Sequence, residues 1–206
     1  MKKILGFLLL LLCFQTSVAE EVIRESLNLM PDSDTSEHCS RYSHDNVALS
    51  CKSYHQTRSY TCGPAAVMTL LHYYGKLDKS QMNAATEMRI ANEMKANEEG
   101  TTPYEVVNWL SDHGMHVDSG ANISTDDIIA NLKKGIPTIL SYNRHWIVAK
   151  GYNKADDPDY DEIVFADSCC DVTVLTRSTI DSMWASSQLA ANHCDYNVGY
   201  YIVAVP

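Results

Sequence analysis

The stretch at residues 56–75, QTRSYTCGPAAVMTLLHYYG, constrains the chain most, because it places a cysteine at the start of a clearly patterned helix. Apolar residues recur at the spacing of one helical face, at Val67, Leu70, Leu71 and Tyr74. Pro64 suits a first helical turn and Gly75 a helix end. The helix dipole favours a thiolate at Cys62, so we expect a lowered pKa and a usable nucleophile at neutral pH.

The remaining pattern changes from helical to strand-like along the chain. We predict helices at 79–97, 103–113 and 125–134, strands at 136–142, 146–152, 163–166, 172–175 and 200–205, and a short helix at 179–189. Helices first and an antiparallel sheet afterwards indicate an α+β fold. The 206 residues suffice for one domain, which we place at 51–206.

Residues 1–19 have the pattern of a cleavable signal peptide. Lys2 and Lys3 precede a short apolar run, and Ser17-Val18-Ala19 offers small residues for cleavage. Bulky Leu12 before Cys13 argues against lipid attachment. We therefore expect an exported protein, in the periplasm or outside the cell. Residues 20–50 are polar, and the sequence does not decide between a flexible leader, a short pro-segment and an arm lying on the domain.

The charge of the chain argues against several classes of partner. It carries 16 Lys and Arg against 26 Asp and Glu, for a net charge of −10. Such a surface repels nucleic acid and anionic membranes, so we expect neither as a partner. After the signal peptide, no stretch is apolar and long enough to span a bilayer, so we expect no stable membrane association. Nothing in the sequence indicates an oligomeric state.

Disulfides are the default expectation for cysteines of an exported protein. Beyond Cys13 the cysteines are Cys39, Cys51, Cys62, Cys169, Cys170 and Cys194. We consider Cys39 with Cys51, and Cys194 with Cys169 or Cys170, as candidate pairs. The adjacent Cys169 and Cys170 are not expected to bond to each other, because a disulfide needs well-separated Cα atoms.

Two polar residues at strand ends complete a candidate catalytic group. His145 begins one strand run and Asp167 ends the next, and the polar turn between them makes the strands antiparallel neighbours. Asp167 can then hold one imidazole nitrogen while the other accepts the Cys62 proton. The amide of Gln56 and the Cys62 N–H are candidate donors to an oxyanion. The chain lacks zinc-type Cys or His spacing, so we expect no metal and no cofactor.

These residues carry a resemblance to a known family. Four stretches within about residues 52–170 resemble the bacteriocin-processing, double-glycine type of papain-like cysteine peptidase. They are QTRSYTCGPAAVMTLLHYYG, GTTPYEVVNWLSDHG, GIPTILSYNRHWIVAKGYN and IVFADS. The resemblance implies that Gln56, Cys62, His145 and Asp167 are oxyanion donor, nucleophile, base and orienter, in a papain-like fold.

The chain departs from that family in two respects. Pro often follows the catalytic Asp of the family, whereas Ser168 follows Asp167 here. The best-known members are fused to a membrane transporter and cut leader peptides after a double glycine. For this chain we expect a signal peptide and no fused transporter, so the leader-cleaving role is not carried over.

We therefore expect an exported cysteine peptidase or amidase that acts on a peptide or protein through a thioester. One alternative is an acyl transferase, of the transpeptidase, transglutaminase or phytochelatin-synthase type, which uses the same triad with a different acceptor. The other is an inactive, disulfide-stapled binding domain, in which Cys62 would be bonded to Cys51, Cys169 or Cys170.

Overall fold

The computed structural model describes residues 45–190 and 199–206, and the side chains of all of these except 186–190. The helices are α1 (Cys62–Tyr73), α2 (Ala84–Glu93), α3 (Pro103–Asp112), α4 (Thr125–Lys133) and α5 (Arg177–Ala190). The strands are β1 (Val47–Ala48), β2 (His116–Ala121), β3 (Thr138–Tyr142), β4 (His145–Asn153), β5 (Glu162–Asp167), β6 (Asp171–Thr176) and β7 (Tyr200–Val205). Single turns of 3₁₀ helix occur at Lys79–Gln81 and Pro158–Tyr160.

The seven strands form one antiparallel sheet in the order β2-β7-β3-β4-β5-β6, with β1 added beside β4. Strand β4 is paired with β3 through a tight turn at Asn143 and Arg144 and with β5 through the longer turn that follows Asn153. Both turn residues adopt positive φ, at 48° and 63°. That conformation is the left-handed one that a two-residue hairpin loop requires.

Alternation along β4 divides the core between the two faces of the sheet. Trp146 and Val148 pack with α1, α2 and α3 on one face, whereas Ile147 and Ala149 pack with α4 and α5 on the other. Helix α1 is buried from Cys62 to Leu71, as expected of a helix covered on all sides. The helix that begins with the cysteine is therefore the most deeply packed of the described helices, and its first turn is buried as well.

A buried polar cluster anchors the β4–β5 turn. The Asp161 carboxylate accepts hydrogen bonds from the Ala155 N–H (2.9 Å), the Tyr152 hydroxyl (3.1 Å) and the Arg177 guanidinium (3.2 Å). Burial raises the pKa of Asp161, but these bonds outweigh it and leave the pKa below its usual range. Arg177 also pairs with Asp126 at 2.9 Å, so the cluster ties α4 and α5 to the hairpin.

Two sequence predictions of secondary structure were wrong in detail. The helix predicted at 79–97 is interrupted, because the Asn83 side chain accepts from the Thr86 N–H and starts α2 there. Strand β2 was not predicted, since HVDSGA is polar and contains glycine, and its full-length pairing with β7 overrides that weak propensity. The α+β class and the other predicted strands are confirmed.

The described residues begin within the polar segment at 20–50, for which the sequence left a leader, a pro-segment and an arm open. Val47 and Ala48 pair with Tyr152 and Gly151, and the Leu49 N–H donates to the Lys150 carbonyl at 2.7 Å. Residues 47–49 therefore lie along β4 at the sheet. The predicted signal peptide and residues 20–44 lie outside the described part of the chain. Among the residues described, none of the helices is both apolar and long enough to cross a membrane.

Candidate active site

Strands β4 and β5 bring His145 and Asp167 together. Asp167 is paired with Ile147, two positions along β4 from His145, so both side chains lie on the same face. His145 Nε2 and Asp167 Oδ1 are 2.8 Å apart. The hairpin geometry inferred from the sequence thus places these two residues in direct contact.

Asp167 is a buried carboxylate that accepts several hydrogen bonds. Its Oδ1 also accepts from the Cys169 N–H at 2.8 Å, and its Oδ2 accepts from the Thr173 hydroxyl at 2.6 Å. Burial raises the pKa of Asp167, but the bonds from Thr173, Cys169 and His145 outweigh it, and the pKa lies below its usual range. Asp167 is therefore ionised at neutral pH and faces His145 as an anion.

Cys62 is the first residue of α1 and is buried with a free thiol. It hydrogen-bonds His145, and this bond is the main reason that the pKa of His145 rises to about 9; burial opposes the shift and Asp167 adds to it. Since Asp167 occupies Nε2, Nδ1 is the nitrogen that remains for the sulfur. A thiol, an imidazole and a carboxylate in this order can perform nucleophilic catalysis.

Gln56 is hydrogen-bonded to Ser168, the residue that follows Asp167. Its backbone N–H donates to the Ser168 carbonyl at 3.0 Å, and its Oε1 accepts from the Ser168 hydroxyl at 2.7 Å. Its Nε2 donates to the Arg58 carbonyl at 2.7 Å. All four residues singled out from the sequence therefore lie in one region, linked through α1 and the β4–β5 hairpin.

Glu87 is a buried residue of the site that the sequence reasoning missed. Its carboxylate, with no exposed surface, accepts from the Thr57 N–H (2.8 Å), the Thr57 hydroxyl (2.7 Å) and the Tyr54 hydroxyl (3.1 Å). The Thr61 hydroxyl donates to it as well, and no side chain caps the start of α1. Glu87 thus holds the segment between Gln56 and Cys62. A carboxylate on the apolar face of α2, aligned with Ile90 and Ala91, was the available signal.

Gly63 is required by a close approach of the loop before α3. A Cβ at Gly63 would lie 2.0 Å from Thr101 Oγ1 and 3.1 Å from Thr101 Cβ. The Thr101 carbonyl in turn accepts from the Trp146 indole N–H at 3.1 Å. This contact seats the Thr101 loop directly on the start of α1, and only glycine leaves room for it.

The thiols of Cys51, Cys62, Cys169 and Cys170 are free, so none of these four is joined to another. Cys62 therefore lacks the bond that the binding-domain alternative requires. Burial raises the pKa of Cys51 to about 12, with Lys150 opposing, so its thiol is protonated and unreactive. Because Cys51, Cys169 and Cys170 are free in this structure, the pairs predicted for them with Cys39 and Cys194 are not formed here; Cys39 and Cys194 themselves lie outside the described residues. The described side chains contain no group of three or more metal-binding residues.

Comparison with known proteins identifies a family with this arrangement. A family model described as the Peptidase_C39 like family matches residues 48–188. No curated protein sequence matches the chain significantly.

Three solved structures share the fold. The peptidase domain of Streptococcus ComA, a bi-functional ABC transporter involved in quorum sensing, is 17% identical, with a TM-score of 0.51 over 76% of this chain and 98% of that one. A double glycine motif protease from an AMS/PCAT transporter, in complex with the leader peptide, is 14% identical (TM-score 0.54; 78% and 94% covered). A putative C39-like peptidase from Bacillus anthracis is 13% identical (TM-score 0.55; 78% and 98% covered).

At such identities these likenesses establish the fold, and they confirm the predicted papain-like α+β architecture. The family model covers well over half of the chain, including α1 and the β4–β5 hairpin. The chain therefore belongs to the Peptidase_C39 like family and is a cysteine peptidase.

Proposed function

We propose that this protein is an exported peptidase that cleaves an amide bond of a peptide or protein through a triad of Cys62, His145 and Asp167. The observation that carries the proposal is the chain of contacts from Cys62 through His145 to Asp167, at the start of a buried helix. Export rests on the signal pattern at residues 1–19.

In the first step the Cys62 thiolate, whose proton is held by His145, attacks the carbonyl carbon of the substrate and forms a carbon–sulfur bond. The amide carbon–nitrogen bond then breaks, and the imidazolium of His145 gives its proton to the leaving amine. In the second step His145 accepts a proton from water, which attacks the thioester. The carbon–sulfur bond then breaks, the acid product leaves, and the thiolate–imidazolium pair is restored.

Asp167 acts through His145. Its bond to Nε2 holds the ring so that Nδ1 is directed to the sulfur, and its charge favours the imidazolium. Because the pKa of His145 is about 9, the ring is protonated at neutral pH and ready to protonate the leaving amine. Thr173 and the Cys169 N–H hold Asp167 in turn.

The oxyanion formed in both steps needs hydrogen-bond donors. The side-chain amide of Gln56 and the backbone N–H of Cys62 are the proposed pair. The start of α1 suits this role, because no side chain caps it and the Thr61 hydroxyl is directed to Glu87 instead. The N–H groups of Cys62 and Gly63 are therefore left for a ligand.

A groove beside the Thr101 loop suits an apolar side chain of the substrate. It has a volume of about 360 Å³ and is lined by Thr102, Pro103, Tyr104, Val107 and Tyr200. It begins one residue from Thr101, which contacts Gly63 at the start of α1. We propose that peptides with an apolar residue near the cleaved bond are preferred.

A peptide-library digestion tests the proposal. The purified protein and Cys62→Ala are incubated with a diverse peptide mixture, with and without added glycinamide, and products are identified by mass spectrometry. We expect new free carboxyl termini with the wild-type protein alone. Cleavage that persists in Cys62→Ala would contradict the proposal, and a predominance of glycinamide adducts would establish acyl transfer in place of hydrolysis.

A further inference from the structure

Ser168 contacts Gln56 twice. Its carbonyl accepts from the Gln56 backbone N–H at 3.0 Å, and its hydroxyl donates to Gln56 Oε1 at 2.7 Å. Ser168 is buried, with 6% of its surface exposed, so water competes little for this bond. The residue lies directly after Asp167, which holds His145.

The two ends of the Gln56 amide have different partners. The Arg58 carbonyl can only accept, so the nitrogen must face it, at 2.7 Å. The oxygen is then the atom that receives the Ser168 hydroxyl. One hydrogen of Nε2 is used at Arg58, and the second is available to a ligand. Together the two contacts set the rotation of the amide.

We propose that Ser168 is a positioning residue, whose hydroxyl fixes the Gln56 amide with its free N–H directed to the oxyanion. Asp167 and Ser168 would then set the base and the oxyanion donor from one short segment. A proline, which often follows the catalytic Asp in the resembling peptidases, has no hydroxyl to donate. The inference rests on the proposed function, since it requires an oxyanion at Cys62.

Two reactions of the Cys62 sulfur distinguish a positioning role of Ser168 from a general structural role. Alkylation by iodoacetamide forms a carbon–sulfur bond, expels iodide and passes through no oxyanion. Acylation by p-nitrophenyl acetate passes through a tetrahedral oxyanion before it releases p-nitrophenolate. Both rates are measured for the purified protein, Ser168→Ala and Ser168→Thr, and Cys62→Ala supplies the background from the other thiols.

We expect Ser168→Ala to slow acylation of Cys62 by about five- to tenfold, the effect of one neutral hydrogen bond, and to leave alkylation within about twofold. Ser168→Thr keeps a hydroxyl and is expected to recover most of the loss. In a Gln56→Ala background, Ser168→Ala is expected to add nothing, because its effect passes through Gln56.

Acylation of Ser168→Ala at the wild-type rate would overturn the inference alone, and so would an equal fall in both reactions. Wild-type acylation no faster than in Cys62→Ala would overturn the proposed function and this inference with it.

Discussion

Glu87 offers the sharpest test of how the site is assembled. Its buried carboxylate accepts from Tyr54, from two groups of Thr57 and from Thr61, on either side of Gln56. Burial, and then the charge and hydrogen bond of Glu87, raise the pKa of Tyr54 to about 12, so its phenol is a permanent donor. Replacing Glu87 by Ala removes the acceptor of all four hydrogen bonds at once.

The loss of stability in Glu87→Ala depends on whether the four donors can find other acceptors. A hydrogen bond to a charged acceptor contributes about 1.5–3 kcal/mol. The Tyr54 and Thr57 hydroxyls can reach water, and the Thr61 hydroxyl can turn to the Arg58 carbonyl at 2.9 Å. We therefore expect Glu87→Ala to lower the free energy of unfolding by about 3–4 kcal/mol and Glu87→Gln by about 1–2 kcal/mol.

Urea unfolding followed by circular dichroism measures these values, with Glu98→Ala as a matched control at an exposed glutamate. We also expect both Glu87 variants to lose peptidase activity in urea-free buffer, because the Gln56 segment is no longer held. A Glu87→Ala protein that unfolds within about 0.5 kcal/mol of the wild type would refute the reasoning.

Three further predictions concern the helix start, the base and the hairpin. Gly63→Ala should abolish activity by displacing Thr101, and adding Thr101→Gly should partly restore it in the same peptide assay. In a pH–rate profile, activity should fall above about pH 9, where His145 loses its proton. Asp167→Asn should move this alkaline fall about one pH unit lower. Folding lowers the pKa of Asp161, so the stability that Asp161 contributes is present above its unfolded-state pKa of about 3.9 and is lost as the pH falls below it. Asp161→Asn should therefore flatten the acid side of the stability–pH curve, measured by urea unfolding.

The parts of the site that could be predicted are those encoded locally. Cys62 begins a strongly patterned helix, His145 begins one strand and Asp167 ends the next, and one polar turn joins these two strands. Helix period, strand pairing and turn composition are properties of short stretches, so they are readable from one sequence.

The supporting contacts could not be predicted, because they join distant segments. Glu87 lies 30 residues from Thr57, and Ser168 lies 112 residues from Gln56. Only the packing of α2 on α1, and of the β5 end on the Gln56 segment, brings them together. The polar strand β2 was missed for the same reason, since its partner β7 lies at the other end of the domain.

The most direct test of the triad is the rate at which iodoacetamide labels Cys62, measured by mass spectrometry across pH in the wild type and in His145→Ala. The exposed thiols of Cys169 and Cys170 serve as internal references. Cys62 is buried in contact with the His145 ring, so we expect His145→Ala to widen access to the thiol; lost access would then not explain slower labelling. The account predicts labelling of Cys62 near neutral pH that falls at least about tenfold in His145→Ala. Equal rates in the two proteins, or labelling of Cys62 that follows the exposed thiols at every pH, would contradict it.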